Sequence, residues 1–492
     1  MRNKPLHFLF TPSQMSAADA AAAASGLSSF GLMERAGRAV AATALRHFPH
    51  AHRFIVLCGP GNNGGDGYVA ARALAESGAK VAAYAFGAVE ALKGDAAIAF
   101  AAFASSALPI NAYTPHDGDV VVDCIFGAGL ARPVPDDVAD VMRCVANEGL
   151  PVVAVDLPSG VDGRTGQVLG ESFKASLTVT FMARKPGHML LPGRSLCGEI
   201  EVFDIGIPRR ILEAGAGSVT VNGPHLWPQL DHALNPSSHK YTRGHLGVFS
   251  GGAFATGASR LSATAGLRSG AGLVTIAGSV AALEVDTTHL TAVMMKEIDR
   301  GEDLAHWLED ARIHAFVLGP AFGDLERARQ YVAMLRERRL VLDADGITAF
   351  REKPQSLFEL FADGEVRLVL TPHEGEFRRL FPDIAEDEKL SKIDKALAAA
   401  ERSHAVLIYK GADTVIASPD GRAAVNDNAP PWLATAGSGD VLAGIIGAHL
   451  AQGMPAFEAA AAGVWRHGAT AAKLGEGLTA EDLAAAVVPL AR

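Results

Sequence analysis

The sequence predicts an α/β protein with two domains, and three observations support this prediction. The chain has 492 residues, more than one hydrophobic core usually organises, so two domains of about 200 to 270 residues each are expected. Hydrophobic residues make up 49% and aromatic residues only 7% of the chain, which suits helices packed on sheets. Apolar β-branched runs alternate with alanine-rich helical patterns, as in parallel sheets that helices cover on both faces.

Charge and cysteine content argue against several classes of protein. The formal net charge of -10 argues against nucleic acid binding, because contact with backbone phosphates needs a basic face. The four cysteines contain no Cys-x-x-Cys pair and no zinc-site spacing, so reduced thiols in a cytoplasmic protein are expected. No segment has the pattern of a signal peptide or a membrane span. We therefore expect small-molecule partners, with no nucleic acid and no membrane.

Two series of strands are predicted on either side of an irregular stretch. The first series covers residues 54–59, 81–86, 120–126, 152–158, 177–182 and 199–206. The second series covers residues 246–251, 273–278, 315–319, 340–345, 367–372 and 405–411, with long helices after residue 438. Residues 212–230 lose periodicity and gain glycine and proline, so the junction between domains at 1–218 and 226–492 is predicted there.

A glycine-rich loop follows the first predicted strand and opens a helix. In GPGNNGGDGYVAARALAESG (59–78), the glycines allow close backbone approach while unpaired N–H groups point at an anion. Asn62 and Asn63 add polar side chains that a plain turn does not require. Asp66 could equally cap the helix. The pattern predicts a phosphate-binding loop.

Two later strands of this half also end in polar loops. Because ligands bind outside the carboxyl ends of parallel strands, Asp123, residues 127–132, Asp156 and Ser159 are expected to converge near the glycine-rich loop. Oxygen ligands of this kind suit a hard cation. Each aspartate by itself could instead form a turn. Three such loops on successive strand ends favour a functional site.

The first half contains four distinctive motifs: NNGGDG, D-x-x-x-G-x-G-x-x-R at 123–132, DLPSGVDGRTG, and K-P-G…G-E-I…D-I-G-I-P at 185–208. In these motifs, nearly all of residues 1–215 resembles the NAD(P)H-hydrate epimerase family. It implies a Rossmann-like three-layer domain that interconverts the R and S hydrates of NADH or NADPH at C6 of the nicotinamide ring. It further implies K⁺ bound by Asn63, Asp123 and Ser159, catalytic Asp156 at the reacting end of the substrate, and hydrate contacts from Asn62, Asn63, Gly64, Gly65, Asp66, Gly127, Ala128, Gly129, Leu130, Ala131, Arg132, Pro133 and Asp156.

GSGDVLAGIIGAHLAQG (437–453) is the most informative stretch of the second half. Apolar residues at 441, 442, 445, 446 and 450 trace one helical face, so Gly437, Ser438 and Gly439 are expected at the helix N-terminus with their N–H groups exposed. Asp440 places a carboxylate beside this predicted anion-binding site. It could instead only complement the helix dipole, but phosphoryl transfer to a hydroxyl needs a positioned base and a charge-stabilising cage.

Other strand ends of the second half are polar as well. The pattern of YKGADTVIASPDG (409–421) predicts a strand, a turn and a second strand, with Lys410 and Thr414 placed to meet a nucleotide phosphate. The alternative is a solvated hairpin. After the strand at 367–372, His373 and Glu374 are expected in the same crevice, although His373 could only begin a helix. Loops at 250–260, 318–323 and 342–350 complete a ring of strand ends rich in Gly and Asp.

Residues 230–492 resemble the ribokinase-like ADP/ATP-dependent NAD(P)H-hydrate dehydratases. The resemblance implies phosphorylation of the C6 hydroxyl followed by elimination of phosphate, which restores NADH or NADPH. It implies Mg²⁺ with the nucleotide, Asp440 as the base, hydrate contacts from Ala258, Gly319, His373 and Asp440, and nucleotide contacts from Lys410, Gly411, Ala412, Asp413, Thr414 and Gly439. The chain departs from the family pattern at Ala321, Phe322, Gly346 and Ala436.

The two resemblances together predict a bifunctional enzyme that repairs hydrated NADH and NADPH with ADP or ATP. A kinase of a small alcohol is one alternative, and the epimerase-like half argues against it. A nucleotide-binding protein without turnover is another, and the presence of Asp440, Lys410 and Asp156 argues against that. The expected assembly is a homo-oligomer in the cytoplasm.

Overall fold

The computed structural model describes residues 6–228 and 239–490, and the chain divides into two compact units. The units are Met1–Val219 and Thr220–Arg492. Each contains a largely parallel sheet with helices packed on it, so the predicted α/β class is confirmed. The irregular stretch at 212–230 contains a strand, Val219–Val221. Residues 229 and 230, at the end of this stretch, lie outside the described residues.

The first unit is built around a seven-stranded parallel sheet. Its strands are β1 (Arg53–Cys58), β2 (Val81–Ala85), β3 (Ala107–Pro109), β4 (Asp119–Cys124), β5 (Val152–Val155), β6 (Leu177–Phe181) and β7 (Glu199–Phe203). Its helices are α1 (Pro12–Ala24), α2 (Ser29–His47), α3 (Asn62–Glu76), α4 (Gly94–Phe103), α5 (Asp136–Asn147), α6 (Gly193–Leu196) and α7 (Arg209–Gly215), with 3-10 turns at Val89–Ala91, Ile110–Ala112 and Pro186–His188. The strand order is β3-β2-β1-β4-β5-β6-β7.

Both faces of this first sheet are covered, which explains why its strands are continuous apolar runs. Along β1, Ile55 and Leu57 join one apolar cluster while Phe54 and Val56 join another, because successive side chains of a strand point to opposite faces. The six predicted strands are all present. The sequence analysis missed β3, which has only three residues and lies at the edge of the sheet.

The second unit is built around a ten-stranded mixed sheet. Its strands are β8 (Val219–Val221), β9 (His245–Phe249), β10 (Leu273–Gly278), β11 (Met294–Glu297), β12 (Ile313–Leu318), β13 (Arg339–Leu342), β14 (Leu368–Leu370), β15 (Val406–Tyr409), β16 (Val415–Ala417) and β17 (Ala423–Val425). The order is β11-β10-β9-β12-β13-β14-β15-β16-β17-β8. Neighbours from β11 to β15 are parallel, whereas β16 runs antiparallel to both β15 and β17.

The helices of the second unit surround this sheet. They are α8 (Gly257–Arg268), α9 (Val280–Thr287), α10 (Gly301–Trp307), α11 (Leu325–Met334), α12 (Asp345–Thr348), α13 (Pro354–Leu360), α14 (Glu374–Leu380), α15 (Pro382–Glu386), α16 (Lys392–Ser403), α17 (Ser438–Ala451), α18 (Ala456–Leu474) and α19 (Ala480–Ala486), with 3-10 turns at Pro224–Leu226 and Pro431–Leu433. Among the described residues, none of the helices of either unit combines the length and apolarity needed to cross a bilayer.

The topology of each sheet creates a crevice at the carboxyl ends of its central strands. In the first sheet the strand order reverses between β1 and β4, and in the second sheet it reverses between β9 and β12. At such a reversal the connections leave toward opposite sides, so the ends of the two strands are not covered by a crossing loop. In both units, glycine-rich loops therefore lie beside the crevice at the carboxyl ends of the central strands.

Helix α17 is the most deeply buried helix that positions a candidate site. Every residue from Val441 to Ala451 is buried, whereas the sequence analysis recognised only one apolar face. The reason is that α17 packs on α8, α18 and strands β12 and β13 at once. A helix enclosed in this way is apolar all round, and its N-terminus is held in a fixed position.

We expect Gly444→Ala to destabilise the second unit, because Gly444 of α17 lies against the backbone of α8. A Cβ at this position would lie 2.1 Å from the backbone oxygen of Ser262, so the helices must move apart. Overpacking of this kind costs about 1–3 kcal/mol, measurable as a lower midpoint in urea unfolding. Gly257→Ala is the control because a Cβ there meets no atom within 4 Å; an equal loss in both variants would contradict the close-packing explanation.

Candidate functional sites

The first unit contains a cavity of about 730 Å³ at the reversal point of its sheet. Its wall includes the segments that follow β1, β4 and β5, together with residues of α1 and α2. Most of the predicted hydrate contacts lie on this wall: Asn62, Asn63, Asp66, Gly127, Ala128, Gly129, Leu130, Ala131, Arg132 and Asp156. The described wall does not include Gly64, Gly65 or Pro133, and the two glycines are buried in α3.

The predicted phosphate-binding loop is largely the first turn of a helix. Helix α3 begins at Asn62, and its N-cap residue, Gly61, offers no side-chain cap, so the first N–H groups of the helix remain available to an anion. Asp66 is the fifth residue of α3, so the alternative that it caps the helix is wrong. Burial, and then the charges of Asp156 and Asp19, raise the pKa of Asp66 well above its usual value.

Asp156, directly after β5, is the electrostatic centre of the cavity. Its Oδ1 accepts hydrogen bonds from Lys185 Nζ at 2.6 Å and from Thr180 Oγ1 at 3.0 Å, and its Oδ2 accepts one from the N–H of Ala128 at 3.0 Å. Burial alone would raise the pKa of Asp156, but the charge and hydrogen bond of Lys185 outweigh it and lower the pKa to about 2. Asp156 is therefore ionised at neutral pH.

The backbone at Asp156 is strained and is held by a buried histidine. Asp156 has φ +67, a conformation that costs a non-glycine residue free energy and often occurs at functional sites. His188 Nδ1 accepts the N–H of Lys185 at 2.8 Å, so Nε2 carries the proton and donates to the Asp156 carbonyl at 2.7 Å. Burial, followed by the charge of Lys185, lowers the pKa of His188 to about 4, which keeps the ring neutral.

The predicted cation ligands Asp123 and Ser159 lie together behind the cavity. Ser159 Oγ is 2.6 Å from Asp123 Oδ1 and 3.1 Å from the carbonyl oxygen of Phe126, so three oxygens converge. Asn63 has a buried Nδ2 without a hydrogen-bond partner among the described residues, and exchanging the amide oxygen and nitrogen would present an oxygen there instead. Burial raises the pKa of Asp123 to about 6, and a bound cation would favour its ionised form.

In the second unit, two strand ends and one helix start meet at a lysine–aspartate pair. Lys410 follows β15 and Asp343 follows β13, and Lys410 Nζ lies 2.8 Å from Asp343 Oδ1. A Cβ on Gly439, in the first turn of α17, would lie 3.6 Å from Asp343 Oδ2 and 3.8 Å from Lys410 Nζ. The predicted nucleotide-binding and catalytic segments are thus brought together.

Asp440 is the carboxylate of this second cluster that has no hydrogen-bond or ion-pair partner among the described residues. Burial and the negative charge of Asp343 raise the pKa of Asp440 to about 6, while Lys410 opposes the rise. Burial would lower the pKa of Lys410, but Asp343, Glu376 and Asp440 together raise it. The cluster therefore keeps the Lys410 ammonium charged and in place, while Asp440 can exchange a proton near neutral pH.

His373 has the structural role that the sequence analysis left open. It is the N-cap of α14, and its Nδ1 accepts the N–H groups of Gly375 at 2.9 Å and Glu376 at 3.3 Å. The buried carboxylate near Lys410 is Glu376, whose raised pKa reflects burial opposed by Lys410. Glu374, which the sequence analysis expected in the crevice, accepts the hydroxyl of Tyr409, the last residue of β15, at 2.5 Å.

The predicted nucleotide-binding turn at 410–414 is tightly closed. Thr414 Oγ1 donates to the Gly411 carbonyl at 2.7 Å and accepts the N–H of Gly411 at 3.2 Å, and Asp413 pairs with Lys392 at 2.5 Å. All residues of β15 and β16, which flank this turn, are buried. The segment is a hairpin, because β15 and β16 pair antiparallel, and it is solvated only at Gly411 and Ala412 of the turn.

The remaining predicted hydrate contacts lie near the reversal point of the second sheet. Gly319, after β12, has φ +124, and a Cβ there would lie 1.8 Å from the Asp343 carbonyl oxygen, so only glycine allows these strand ends to approach. Ala258 is buried near the start of α8. Ala321, where the resembled family tends to have glycine, adopts φ +50, a conformation that disfavours alanine.

Sequence reasoning missed several residues of both clusters. In the first unit these are Asp19, Thr180, Lys185 and His188, of which only Lys185 lay in a quoted motif. In the second unit they are Asp343, signalled only by the Asp-rich loop at 342–350, and Glu376, signalled only by the strand end that carries His373. Each acts through a partner distant in sequence, which spacing alone does not reveal.

Two protein-family models match the chain, one in each unit. The model described as NAD(P)H-hydrate dehydratase matches residues 246–488. The model described as YjeF-related protein N-terminus matches residues 29–187. The matches therefore cover most strands of each sheet, leaving out β7 and β8, and all the predicted site residues.

Curated relatives align over most of the chain. The bifunctional NAD(P)H-hydrate repair enzyme of Thermofilum pendens is 36% identical over 458 residues, covering 89% of this chain and 86% of that protein. The enzyme of the same name from Coxiella burnetii is 34% identical, covering 93% of this chain and 94% of that protein. The ADP/ATP-dependent NAD(P)H-hydrate dehydratase of Bacillus subtilis, co-crystallised with ATP/Mg²⁺, is 25% identical with a TM-score of 0.43, covering 52% of this chain and 91% of that chain.

We expect Lys185→Met to destabilise the first unit strongly, because it leaves Asp156 ionised without its partner. Lys185 is 2% exposed and Asp156 19%. Breaking a buried pair costs about 3 kcal/mol at the low end of the measured range, measurable by urea unfolding at pH 7. Lys174→Met, at an exposed position, is the control and should change stability by less than about 0.5 kcal/mol; similar effects in both variants would contradict the importance of the pair.

Proposed function

The chain belongs to the family of bifunctional NAD(P)H-hydrate repair enzymes, and on that premise we propose which of its residues perform each activity. Its function is to repair hydrated NADH and NADPH: it epimerises the R and S hydrates at C6 of the nicotinamide ring and dehydrates the S hydrate with ADP or ATP. The prediction of a bifunctional enzyme from the sequence is confirmed at the level of the family.

We assign epimerisation to residues 1–218 and dehydration to residues 226–492. The match of residues 246–488 to the dehydratase model supports the second assignment. The cavity of the first unit supports the other, because about 730 Å³ lies within the range of small-molecule sites. The exposed N–H groups at the start of α3 suit the phosphates of a dinucleotide.

For the epimerase half, we propose that the nicotinamide ring binds beside Asp156. Inversion at C6 exchanges a hydroxyl between the two faces of the ring, and positive charge on the ring rises when the C6–O bond breaks. A carboxylate fixed in its ionised form by Lys185 stabilises that charge without first having to reorganise. This interpretation is supported by the three hydrogen bonds that hold Asp156.

We propose that Asn63, Asp123 and Ser159 bind K⁺ in the epimerase half. The donor set is chemically suitable, since carboxylate, hydroxyl and carbonyl oxygens are preferred by hard cations. A cation there would connect the loops after β1, β4 and β5 and fix the shape of the cavity wall. The bound K⁺ would contribute structure and positive charge, while carboxyl groups of the chain would transfer the protons.

For the dehydratase half, we propose that Asp440 removes the proton from the C6 hydroxyl as phosphate is transferred. The observation that supports this role most is the Asp440 carboxylate at the start of α17, which has no hydrogen-bond or ion-pair partner among the described residues and lies beside the Lys410–Asp343 pair. The N–H of Ser438 donates to the Thr435 carbonyl at 3.3 Å, so the N–H of Gly439 and the Lys410 ammonium are the groups that suit a phosphoryl group. The groups proposed to bind the nucleotide are residues 410–414 and Gly439, and those proposed to bind the hydrate are Ala258, Gly319, His373 and Asp440.

We further propose Mg²⁺ as the ion that accompanies the nucleotide. Mg²⁺ in such sites is held by one or two carboxylates and the phosphates of the nucleotide, and Asp343 and Asp440 are carboxylates of the required kind. When bound it would neutralise charge on the transferring phosphoryl group. Two further expectations, the homo-oligomeric state and the cytoplasmic location, stay predictions.

The dehydratase assignment predicts that the protein regenerates NADH from S hydrate with Mg²⁺ and ADP or ATP, and that Asp440→Asn abolishes this activity. Loss of a general base lowers the rate by about 10²- to 10⁴-fold, read as NADH absorbance. Because a base must be ionised, wild-type kcat/KM should fall as the pH drops through about 6. Parallel assays with ADP and ATP identify the donor, and an unchanged rate in the variant would remove Asp440 from the mechanism.

The epimerase assignment predicts that Asp156→Asn slows interconversion of the R and S hydrates while dehydration of pure S hydrate continues. The change removes the fixed negative charge but nearly preserves the shape of the side chain. Epimer ratios can be followed by chromatography. Asp140→Asn, at an exposed position on α5, serves as the control; loss of both activities in Asp156→Asn would indicate misfolding instead.

A further inference from the structure

Helix α1 forms part of the wall of the epimerase cavity, although it precedes the residues that match the family model. Pro12, Met15, Ser16 and Asp19 line the cavity, and their i, i+3, i+4, i+7 spacing places them on one face of the helix. The family model begins only at residue 29. Asp19 is therefore a cavity-wall carboxylate to which neither the sequence motifs nor the proposed function gives a role.

The start of α1 is attached to the segment that carries Lys185. The N–H of Phe10 donates to the Arg184 carbonyl at 3.0 Å, and the Thr11 side chain caps the helix in a capping box with Gln14. These contacts fix where α1 begins relative to the Asp156–Lys185 pair. The position of Asp19 on the wall is thus set by backbone bonds rather than by a flexible terminus.

The Asp19 carboxyl group has no hydrogen-bond or ion-pair partner among the described residues, and it faces three titratable groups of the cavity. Partial burial raises the pKa of Asp19 to about 6; Lys185 opposes this rise and Asp156 adds to it. The third group, Asp66, itself has its pKa raised partly by Asp19. The charged and titratable side chains of the adjacent helices α2 and α7 are not among the causes of this pKa shift: Glu34, Arg35, Arg38, Arg46, His47, Arg209, Arg210 and Glu213.

We propose that Asp19 is a catalytic residue of the epimerisation, exchanging a proton with the hydroxyl group on C6 of the hydrated ring. This proposal rests on the proposed epimerase function of the first unit. The Asp19 carboxyl gives its proton to the C6 hydroxyl, the C6–O bond breaks with its electron pair leaving on water, and the N1 lone pair forms a C6=N1 double bond. Water then adds to the opposite face, the electron pair returns to N1, and the proton this water loses restores the Asp19 carboxyl.

The division of roles follows from the different environments of the carboxyl groups. Asp156 is bonded through both oxygens and stays ionised, so it suits charge stabilisation rather than proton exchange. Asp19 faces the same cavity, its oxygens have no hydrogen-bond or ion-pair partner among the described residues, and its pKa of about 6 allows it to exchange a proton near neutral pH. Acid–base catalysis commonly uses two carboxyl groups whose different environments give them different pKa values.

The test is the pH dependence of epimerisation by the full-length Asp19→Asn variant. Wild-type kcat/KM for interconversion of the hydrates should show an inflection near pH 6. The variant should be slower by about 10²-fold or more and should lack this inflection, while Asp19→Glu should regain part of the rate and the inflection. Dehydration of S hydrate by the same sample shows that the protein is folded and active.

Each other outcome has a distinct meaning. Asp137→Asn, at an exposed position outside the cavity, is the matched control and should behave as wild type. An Asp19→Asn variant with an unchanged rate, or with a higher KM but the same inflection, would overturn the catalytic role of Asp19. Absence of epimerisation in the wild-type protein would instead overturn the proposed function of the first unit.

Discussion

Both sites depend on a lysine that is held against one aspartate at the carboxyl ends of parallel strands. Lys185 pairs with Asp156 at 2.6 Å in the first unit, and Lys410 pairs with Asp343 at 2.8 Å in the second. Removing a charge from water is costly, so a buried pair persists only where geometry and hydrogen bonds compensate. Each pair fixes one negative and one positive charge in place before any ligand arrives.

Each pair is accompanied by a second carboxyl group of a different kind. Asp19 and Asp440 have no hydrogen-bond or ion-pair partner among the described residues, and the pKa of each is raised to about 6. The paired carboxylate provides a fixed field, while the unpaired one can gain or lose a proton at neutral pH. We propose that the same physical arrangement serves two different reactions: inversion at a carbon in one unit and phosphoryl transfer in the other.

Much of the fold could be predicted because it depends on local patterns. Continuous apolar runs identify strands buried on both faces, and every strand predicted from such a run is present. The strands that were missed, β3, β8, β11 and β17, have three or four residues each, too few for a periodic signal. The glycine-rich segments were also recognised. The start of α3 at Asn62 was not, because glycine has a low helix propensity and the segment was therefore interpreted as a loop.

The sequence by itself determined the two-sheet α/β class, and it singled out the strand ends where we propose that ligands bind and the carboxylates Asp156 and Asp440 among them. Only the tertiary structure decided which charges meet. Lys185 is 29 residues from Asp156, and Lys410 is 67 residues from Asp343, so no spacing rule connects them. Asp19 reaches the cavity because the backbone of Phe10 bonds to Arg184. Proton affinity depends on burial and neighbouring charge, and both are properties of the folded chain.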